Sequence, residues 1–323
     1  MKIAKMYGYL RKDLHIIEEA LNEAIQADHP VLRKASTQLL MAGGKRIRPV
    51  FVLLSGQMGR YDIERIKTVA VSLELIHMAS LVHDDVIDNA DLRRGKPTVK
   101  KMYDNRVAMY MGDYIFARAI EYITTLQNKN AHHLLSKVMI ELVAGEIEQI
   151  KDKYNWSQGL RDYLRKIRRK TALLIATSCK LGAIAADVPE FQAHKLYQYG
   201  YYIGMSYQII DDILDFTSTA KELGKPVGHD LLQGNVTLPV LLAMQDRSFD
   251  VLLKETFLHP ASVTESDLEH LIDKLKQTNA IQRSYKVSDL YLNKALNALA
   301  VLDNNKAKHS LHDIATYIGK RRY

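Results

Sequence analysis

The apolar positions of the chain recur at helical spacing, and alternating β patterns with two-residue Asn-Gly turns are missing. Two stripes at this spacing stand out: Ile203, Tyr207, Ile210 and Leu214, and Val69, Leu73, Ile76 and Ser80. No proline lies between Thr98 and Val188, or between Ala261 and Tyr323. Because proline breaks helix interiors, such spans suit helices. The pattern predicts an all-α fold of roughly ten or more helices.

Glycine and proline mark where these helices are expected to stop. Gly43–Gly44 predicts a helix end, followed by a basic loop and a new helix near Pro49. The segment "STAKELGKPVGHDLLQGNVTLP" (218–239) is rich in glycine and polar residues and predicts a long functional loop. Linkers, low-complexity segments and repeats are not evident. We therefore expect residues 1–323 to form a single domain.

Composition narrows the class of protein. The 323 residues are 47% hydrophobic and 25% charged, which is ordinary for a globular protein. One cysteine, Cys179, excludes a disulfide framework within the chain and suits a reducing cytosol. The first twenty residues lack a signal-peptide apolar region, and no run reaches 18 apolar residues. We expect a cytoplasmic protein.

The net charge of +8 permits three kinds of anionic partner: nucleic acid, an anionic membrane or phosphorylated small molecules. Zinc spacings, RNA-recognition motifs and helix-turn-helix signatures are not found in the sequence. We therefore expect no nucleic-acid partner.

Two D-D-x-x-D motifs carry the candidate chemistry. Their aspartates are Asp84, Asp85 and Asp88 in the first motif and Asp211, Asp212 and Asp215 in the second. Residues at i and i+4 share one face of a helix, so the outer carboxylates of each motif repel by about 0.2–0.5 kcal/mol unless a cation lies between them. Such hard oxygen ligands suit Mg²⁺, which usually also binds substrate phosphates. Two facing acidic helices with metals between them would form a diphosphate trap.

His83 and Asp84 allow a competing interpretation, because adjacent His-Asp residues can bind the metal of a phosphohydrolase. That chemistry needs further histidines, for which His132 and His133 are candidates. The second D-D-x-x-D motif has no role in that scheme, so it ranks behind the diphosphate trap.

Two basic segments accompany the acidic ones. "GGKRIRP" offers Lys45, Arg46 and Arg48 on a glycine-initiated turn, and Arg93 and Arg94 follow the first motif. Arginine makes forked contacts to phosphate oxygens, whereas lysine acts as a point charge. If metals hold one diphosphate, we expect these cations to bind another and not to neutralise the neighbouring aspartates.

In their order, five segments closely resemble the motifs of the trans-prenyl diphosphate synthases: "GGKRIRP", "HDDVIDNADLRRG", "RKTALL", "YQIIDDILD" and "GKPVGHD". The resemblance covers residues 43 to 230. It implies a helical bundle around a central cavity, of the isoprenoid synthase type. It also implies that two or three Mg²⁺ ions assist the condensation of an allylic diphosphate with isopentenyl diphosphate.

The resemblance further implies a role for individual residues. Asp84, Asp88 and Asp211 would bind Mg²⁺ directly, and Asp85, Asp212 and Asp215 directly or through water. The residues matching the isopentenyl diphosphate site are Lys45, Arg48, His77 and Arg94. Those matching the allylic diphosphate site are Arg93, Lys170, Thr171, Gln208 and Lys225. Lys170 and Gln208 join Asp84, Asp88 and Asp211 as the expected catalytic residues.

One position departs from the family pattern. Many members have a lysine where "GNVTLP" has Asn235, so residue 235 is not expected to bind phosphate. The segment "DLLQGNVTLPVL" is similar to the catalytic subunit of two-component members of the family. We therefore expect a smaller, non-identical partner in a heterodimer and heptaprenyl diphosphate, a quinone side-chain precursor, as the product. A homodimeric synthase of another chain length is the alternative.

Product length is expected to depend on Ala79 and Ser80. Ser80 lies one turn before Asp84 and only about 40° away around the helix. In the family, aromatic residues at these positions imply a floor that stops short products, and two small residues leave it open. We expect a medium or long product, whose release involves either transient membrane contact or the partner subunit. More distant alternatives are a class I terpene cyclase and a non-catalytic acidic-helix subunit.

Overall fold

The structure, a computed structural model, describes residues 6–41, 43–44, 46–93, 95–219 and 226–321, without the side chain of residue 41. The α-helices are α1 (Arg11–Ala24), α2 (Pro30–Met41), α3 (Ile47–Gly56), α4 (Ile63–Ile87), α5 (Val99–Met102), α6 (Asn105–Thr124), α7 (Lys129–Lys151), α8 (Leu160–Ile167), α9 (Leu173–Ala185), α10 (Glu190–Thr217), α11 (His229–Leu232), α12 (Leu238–Ala243), α13 (Arg247–Thr256), α14 (Glu265–Gln277), α15 (Ala280–Ala300) and α16 (Lys306–Gly319). Gly8–Leu10 and Pro260–Ser262 are 3₁₀-helices, and Arg168–Ala172 is a π-helix between α8 and α9. The prediction of an all-α fold is confirmed.

The predicted stripes lie on the two longest helices, α4 and α10. The predicted helix end at Gly43–Gly44 also agrees with the structure, since α2 ends at Met41 and α3 begins at Ile47. Between them Gly43 has a φ of 71° and Arg46 a φ of 46°, both in the left-handed region. Glycine adopts that region without strain, which explains the helix end at this point.

A two-stranded hairpin follows the first acidic motif. β1 (Leu92–Arg93) pairs antiparallel with β2 (Lys96–Pro97), and Gly95 in the turn has a φ of 74°. The hairpin ties Arg93 to the end of α4. Within the segment predicted as a long loop, the structure contains the one-turn helix α11 and the start of α12, whereas residues 220–225 lie outside the described residues.

The chain divides into two compact units. Unit 1 consists of Met1–Ser136, Thr177–Tyr197 and Val301–Leu311, and unit 2 of Lys137–Ala176, Gln198–Ala300 and His312–Tyr323. The first D-D-x-x-D motif belongs to unit 1 and the second to unit 2. Each unit is assembled from segments that are distant in sequence. A single domain over residues 1–323 stays a prediction.

Unit 1 is built around α4, which packs against α6, α3 and α1. Eight consecutive residues of α3, from Pro49 to Gly56, are buried. In the described part of the chain, α4 alone is long and apolar enough to cross a membrane by length and composition, and 67% of its apolar window is buried inside the protein. Such burial is typical of a core helix as well.

Unit 2 has its own apolar core. Buried residues of α8, α10 and α12–α15 form one cluster, including Tyr163, Phe216 and Phe249. α10 approaches the π-helix closely at Gly204, where a Cβ atom would lie 2.7 Å from the Cα atom of Ala172. Only glycine allows this approach, which brings the two helical segments with candidate site residues together.

Candidate functional site

The first acidic motif lies at the carboxyl-terminal end of α4. Asp84 and Asp88 are half-buried, and the backbone N–H of Asp88 donates to the carbonyl oxygen of Asp84 over 2.8 Å. Asp85 is only 4% exposed. One turn of helix thus presents its outer carboxylates at the surface while the middle one points into unit 1.

Asp85 is held by Arg93. The Arg93 Nε atom donates to Asp85 Oδ1 over 2.8 Å, and a terminal guanidinium nitrogen lies 2.7 Å from the same oxygen. Burial raises the pKa of Asp85, although the Arg93 charge acts in the opposite direction. The expectation that Arg93 would leave the neighbouring aspartates unneutralised is therefore wrong. Arg94 lies outside the described residues.

The predicted isopentenyl diphosphate residues are only partly visible in unit 1. Arg48 on α3 and His77 on α4 are half-buried, and Lys45 lies outside the described residues. Arg46 of the same basic segment has another role, because its guanidinium pairs with Glu18 at 2.8 Å and with Glu74 at 3.2 Å. Arg46 therefore stabilises the start of α3.

The two predicted chain-length residues differ in their surroundings. Ala79 is fully buried within unit 1, and Ser80 is half-buried. The Ser80 hydroxyl donates to the backbone carbonyl of His77 over 2.9 Å. A serine that bonds to its own helix presents a small surface, as the open-floor hypothesis requires.

The histidines of the phosphohydrolase interpretation have other partners. His83 Nε2 lies 3.3 Å from Asp113 Oδ1, and its ring packs against Phe116. His132 Nε2 lies 3.0 Å from the carbonyl oxygen of Ile123. These contacts hold α4, α6 and α7 in place, so they favour structural roles for both histidines.

Asp212 of the second acidic motif, on α10, is part of a partly buried chain of hydrogen bonds. We call this chain the Asp212 network, and its members are Thr171, Gln208, Asp212 and Tyr163. The Thr171 hydroxyl donates to Gln208 Oε1 over 2.6 Å, and Gln208 Nε2 donates to Asp212 Oδ1 over 2.9 Å. The Tyr163 hydroxyl donates to Asp212 Oδ2 over 2.7 Å. Three predicted site residues are therefore joined in unit 2.

Burial dominates the electrostatics of this network. Burial, and after it the neighbouring Asp230 carboxylate, raises the pKa of Asp212 to about 7. Burial also lowers the pKa of Lys166, whose ammonium donates to the carbonyl oxygen of Val236 over 2.8 Å. Lys166 thereby fixes the segment that contains Asn235, whose backbone N–H donates to the Asp230 carbonyl.

Lys170 lies in the π-helix. Its ammonium donates to Gln149 Oε1 over 3.1 Å, and the residue is exposed. Single π-turns are rare and are frequent at functional sites, because the extra residue re-aims side chains. Here the π-turn presents Lys170 to solvent and Thr171 to Gln208.

The remaining aspartates of the second motif differ in exposure. Asp215 is fully buried, and its Oδ2 atom accepts a bond from the backbone N–H of Asp230 over 3.2 Å. The Asp211 side chain is 41% exposed, and a terminal nitrogen of Arg321 donates to its Oδ1 atom over 3.2 Å. The Arg321 guanidinium also lies 5.3 Å from the centre of the Tyr207 ring. Lys225 lies outside the described residues.

The donor chemistry of both motifs fits Mg²⁺. Among the described residues, no group of three or more His, Cys, Asp or Glu side chains is arranged to hold a metal ion. Mg²⁺ takes one or two protein carboxylates and completes its shell with water and phosphate oxygens, so an Mg²⁺ site does not require such a group. The accessible candidates are Asp84 and Asp88 in unit 1 and Asp211 in unit 2.

Two residues of this region are not among the predicted site residues. Tyr163 lies four residues before Ile167, and both are buried on the apolar face of α8, so spacing marked it only as core. Arg321 lies 110 residues from Asp211, and its terminal basic segment resembles an ordinary solvated tail. A buried tyrosine hydroxyl usually has a partner, and this was the available signal for Tyr163.

Known proteins are similar to this chain over nearly its whole length. The family model for polyprenyl synthetase matches residues 29–275. The chain is 57% identical to heptaprenyl diphosphate synthase component 2 of Bacillus subtilis (strain 168), over 100% of this chain and 92% of that protein. The heptaprenyl diphosphate synthase structure from Staphylococcus aureus is 42% identical, with a TM-score of 0.92 over 97% of this chain and 98% of that one. A Caulobacter crescentus CB15 polyprenyl synthase, solved with calcium and isoprenyl diphosphate, is 27% identical, with a TM-score of 0.93 over 99% and 98% of the two chains.

Proposed function

Because this chain belongs to the polyprenyl synthetase family, we propose that it condenses an allylic diphosphate with successive isopentenyl diphosphates to form heptaprenyl diphosphate. Trans-prenyltransferase activity follows from the family and its structural relatives. The heptaprenyl length is supported by the names of the Bacillus subtilis and Staphylococcus aureus relatives.

The observation that carries the proposal is the meeting of candidate residues in unit 2. Asp211 and Gln208 lie one turn apart on α10, and Gln208 bonds to Thr171 of the π-helix beside Lys170. We assign this cluster to the allylic diphosphate. Lys170 supplies positive charge near the leaving group, while the oxygens and dipoles of Thr171 and Gln208 surround the developing cation.

The family is Mg²⁺-dependent in general, and we propose that two or three ions act in this chain. Asp84 and Asp88 in unit 1, and Asp211 with Asp215 in unit 2, would hold them, Asp215 directly or through water. When bound, Mg²⁺ supplies positive charge that stabilises the departing diphosphate. We assign Arg48 and His77 to isopentenyl diphosphate, together with Lys45 and Arg94 beyond the described residues.

The reaction then needs no covalent enzyme intermediate. The allylic C–O bond breaks and its electron pair leaves with the diphosphate. The double bond of isopentenyl diphosphate attacks the allylic carbon, a C–C bond forms, and a proton leaves to restore a double bond. The released diphosphate accepts that proton. The new allylic diphosphate re-enters the cycle, and the small side chains of Ala79 and Ser80 would allow the chain to lengthen.

The partner is proposed to be a non-identical subunit in a heterodimer. The relative's name, component 2, denotes one part of a two-component synthase. An apolar stripe on α7 supports a partner: Ile140, Val143, Ile147 and Ile150 are 67%, 56%, 50% and 50% exposed. Their spacing of three, four and three residues matches the seam of a helix pair. Contiguous exposed apolar residues of this kind mark interaction surfaces.

The test is a prenyltransferase assay with farnesyl diphosphate, labelled isopentenyl diphosphate and Mg²⁺. The chain is assayed alone and with the other component of the Bacillus subtilis synthase, and products are separated by chain length. We expect heptaprenyl diphosphate from the pair and loss of incorporation with chelator or with a folded Asp84→Ala variant. Incorporation that survives Asp84→Ala contradicts the metal assignment, and full activity of the chain alone contradicts the partner.

Cyclic hydrocarbons formed without isopentenyl diphosphate would instead identify a terpene cyclase.

A further inference from the structure

Tyr163 has no role in the proposed reaction, yet its hydroxyl forms a hydrogen bond to an aspartate of the second acidic motif. Its side chain on α8 is fully buried, and its hydroxyl donates to Asp212 Oδ2 over 2.7 Å. The two residues are 49 positions apart in sequence. A buried phenol and a 4%-exposed carboxylate both need a partner, because an unmade hydrogen bond is costly inside a protein.

The Asp212 network has a fixed direction. The carboxylate of Asp212 accepts from the Gln208 amide nitrogen on one oxygen and from the Tyr163 hydroxyl on the other. The amide group of Gln208 is therefore oriented with its oxygen away from Asp212, where it accepts the Thr171 hydroxyl over 2.6 Å. A flipped amide would place its oxygen against the Asp212 carboxylate, which only accepts, whereas the Thr171 hydroxyl can donate or accept. The orientation of Gln208 therefore depends on Asp212 being in place.

The surroundings of Asp212 differ from those of Asp211, the preceding residue in the motif. Both of its oxygens accept bonds from protein donors, and the side chain is 4% exposed. Asp211, by contrast, has a side chain that is 41% exposed. The two adjacent aspartates are thus available for different tasks.

We propose that Tyr163 is a positioning residue that anchors Asp212, and that Asp212 in turn orients Gln208 and Thr171 towards the allylic substrate. The inference rests on the proposed prenyltransferase function and deepens it. It gives Asp212 a positioning task in place of metal binding, and leaves Mg²⁺ to the other aspartates. A residue outside the motifs thereby helps to determine how well the allylic diphosphate binds.

The test is a double-mutant cycle with Tyr163→Phe and Asp212→Asn in the complex with the partner. We expect Tyr163→Phe to raise the KM for farnesyl diphosphate roughly tenfold, as loss of a bond to a charged group does. The KM for isopentenyl diphosphate and the half-saturating Mg²⁺ concentration should stay within about twofold. The double variant should be no worse than Asp212→Asn alone, because both changes break one chain of bonds.

Two control variants make the result specific. Tyr154→Phe removes a phenolic bond of 2.9 Å to the carbonyl of Leu232 in the same unit, and should change only thermal stability. Asp211→Asn should raise the half-saturating Mg²⁺ concentration. The inference is overturned if Tyr163→Phe behaves like Tyr154→Phe, if the two changes of the cycle multiply, or if Asp212→Asn raises the Mg²⁺ requirement like Asp211→Asn.

Failure of the proposed function gives a different result. Calorimetric binding of farnesyl thiolodiphosphate, an unreactive analogue, is measured for the same variants. If the wild-type pair binds the analogue but makes no product, the proposed reaction is wrong, and the cycle in binding affinity still decides the role of Tyr163. If the pair is active and the cycle shows no coupling, the role of Tyr163 is wrong while the proposed function stands.

Discussion

The ion pair between Arg321 and Asp211 predicts that the carboxyl-terminal segment competes with Mg²⁺. Arg321 follows α16, and its guanidinium donates to the Asp211 carboxylate over 3.2 Å. Asp211 is the most accessible proposed metal ligand of unit 2. A divalent ion that binds there must displace the guanidinium or share the carboxylate with it. The variant Arg321→Ala removes this competitor.

The size of the effect follows from exposure. Arg321 is 16% exposed and Asp211 41%, so solvent screens the pair, which then contributes about 0.5–1 kcal/mol. The contact of Arg321 with the Tyr207 ring adds about 0.5–1 kcal/mol. Arg321→Ala should therefore lower the free energy of unfolding by about 1–2 kcal/mol. Loss of the competing ion pair, which contributes about 1 kcal/mol, should tighten Mg²⁺ binding roughly fivefold.

Calorimetric Mg²⁺ titration of the chain without substrates measures the binding change, and urea unfolding measures the stability change. Lys320→Ala is the matched control, because it removes an exposed cation one residue earlier. If Arg321→Ala binds Mg²⁺ no more tightly than Lys320→Ala, the competition does not exist. Weaker Mg²⁺ binding in Arg321→Ala would show that Arg321 supports the metal site.

Three further changes test other parts of the structure. Ser80→Phe should shorten the products seen by chromatography, and an unchanged distribution would contradict the open floor. Val143→Asp with Ile147→Asp should weaken partner binding in ultracentrifugation by at least about tenfold, whereas Leu290→Asp, a helical leucine that is 62% exposed, should not. Burial raises the pKa of Cys179 to about 12. Above pH 9 the thiol of the unfolded chain therefore ionises before that of the folded chain. Its contribution to the free energy of unfolding then falls by about 1.4 kcal/mol per pH unit. In urea unfolding, the free energy of unfolding of Cys179→Ala should therefore depend less on pH above pH 9. An identical pH dependence in Cys179→Ala and the unchanged protein would contradict this prediction.

Local patterns predicted what the backbone does over one or two turns. The stripes on α4 and α10, the end of α2 and the place of both acidic motifs follow from spacings of three and four residues, which the helix geometry fixes. These features needed no knowledge of tertiary structure.

Long-range pairing could not be predicted in this way. No local feature of the sequence distinguishes Arg46, which bonds to Glu18 and Glu74, from an arginine that binds a phosphate group. Arg93 was expected to leave the aspartates for a substrate, yet it is bonded to Asp85 because the hairpin turns the chain back towards α4. The π-helix at Arg168–Ala172 also has no signal in the apolar period, since α8 and α9 continue on either side of it.

The two acidic motifs share a pattern that explains their adjacent aspartates. Asp85 and Asp212 occupy the same second position of D-D-x-x-D, and each is 4% exposed. Each is also held by protein donors, Asp85 by Arg93, and Asp212 by Gln208 and Tyr163. On a helix the second aspartate is rotated by about 100° from the first, so it cannot share the face of the outer pair. The second aspartate therefore faces the interior of its own unit and fixes the surrounding side chains, while the first remains accessible at the surface. Metal binding by the accessible first aspartate does not by itself require a buried neighbour, and in both motifs that neighbour fixes the side chains around the first aspartate.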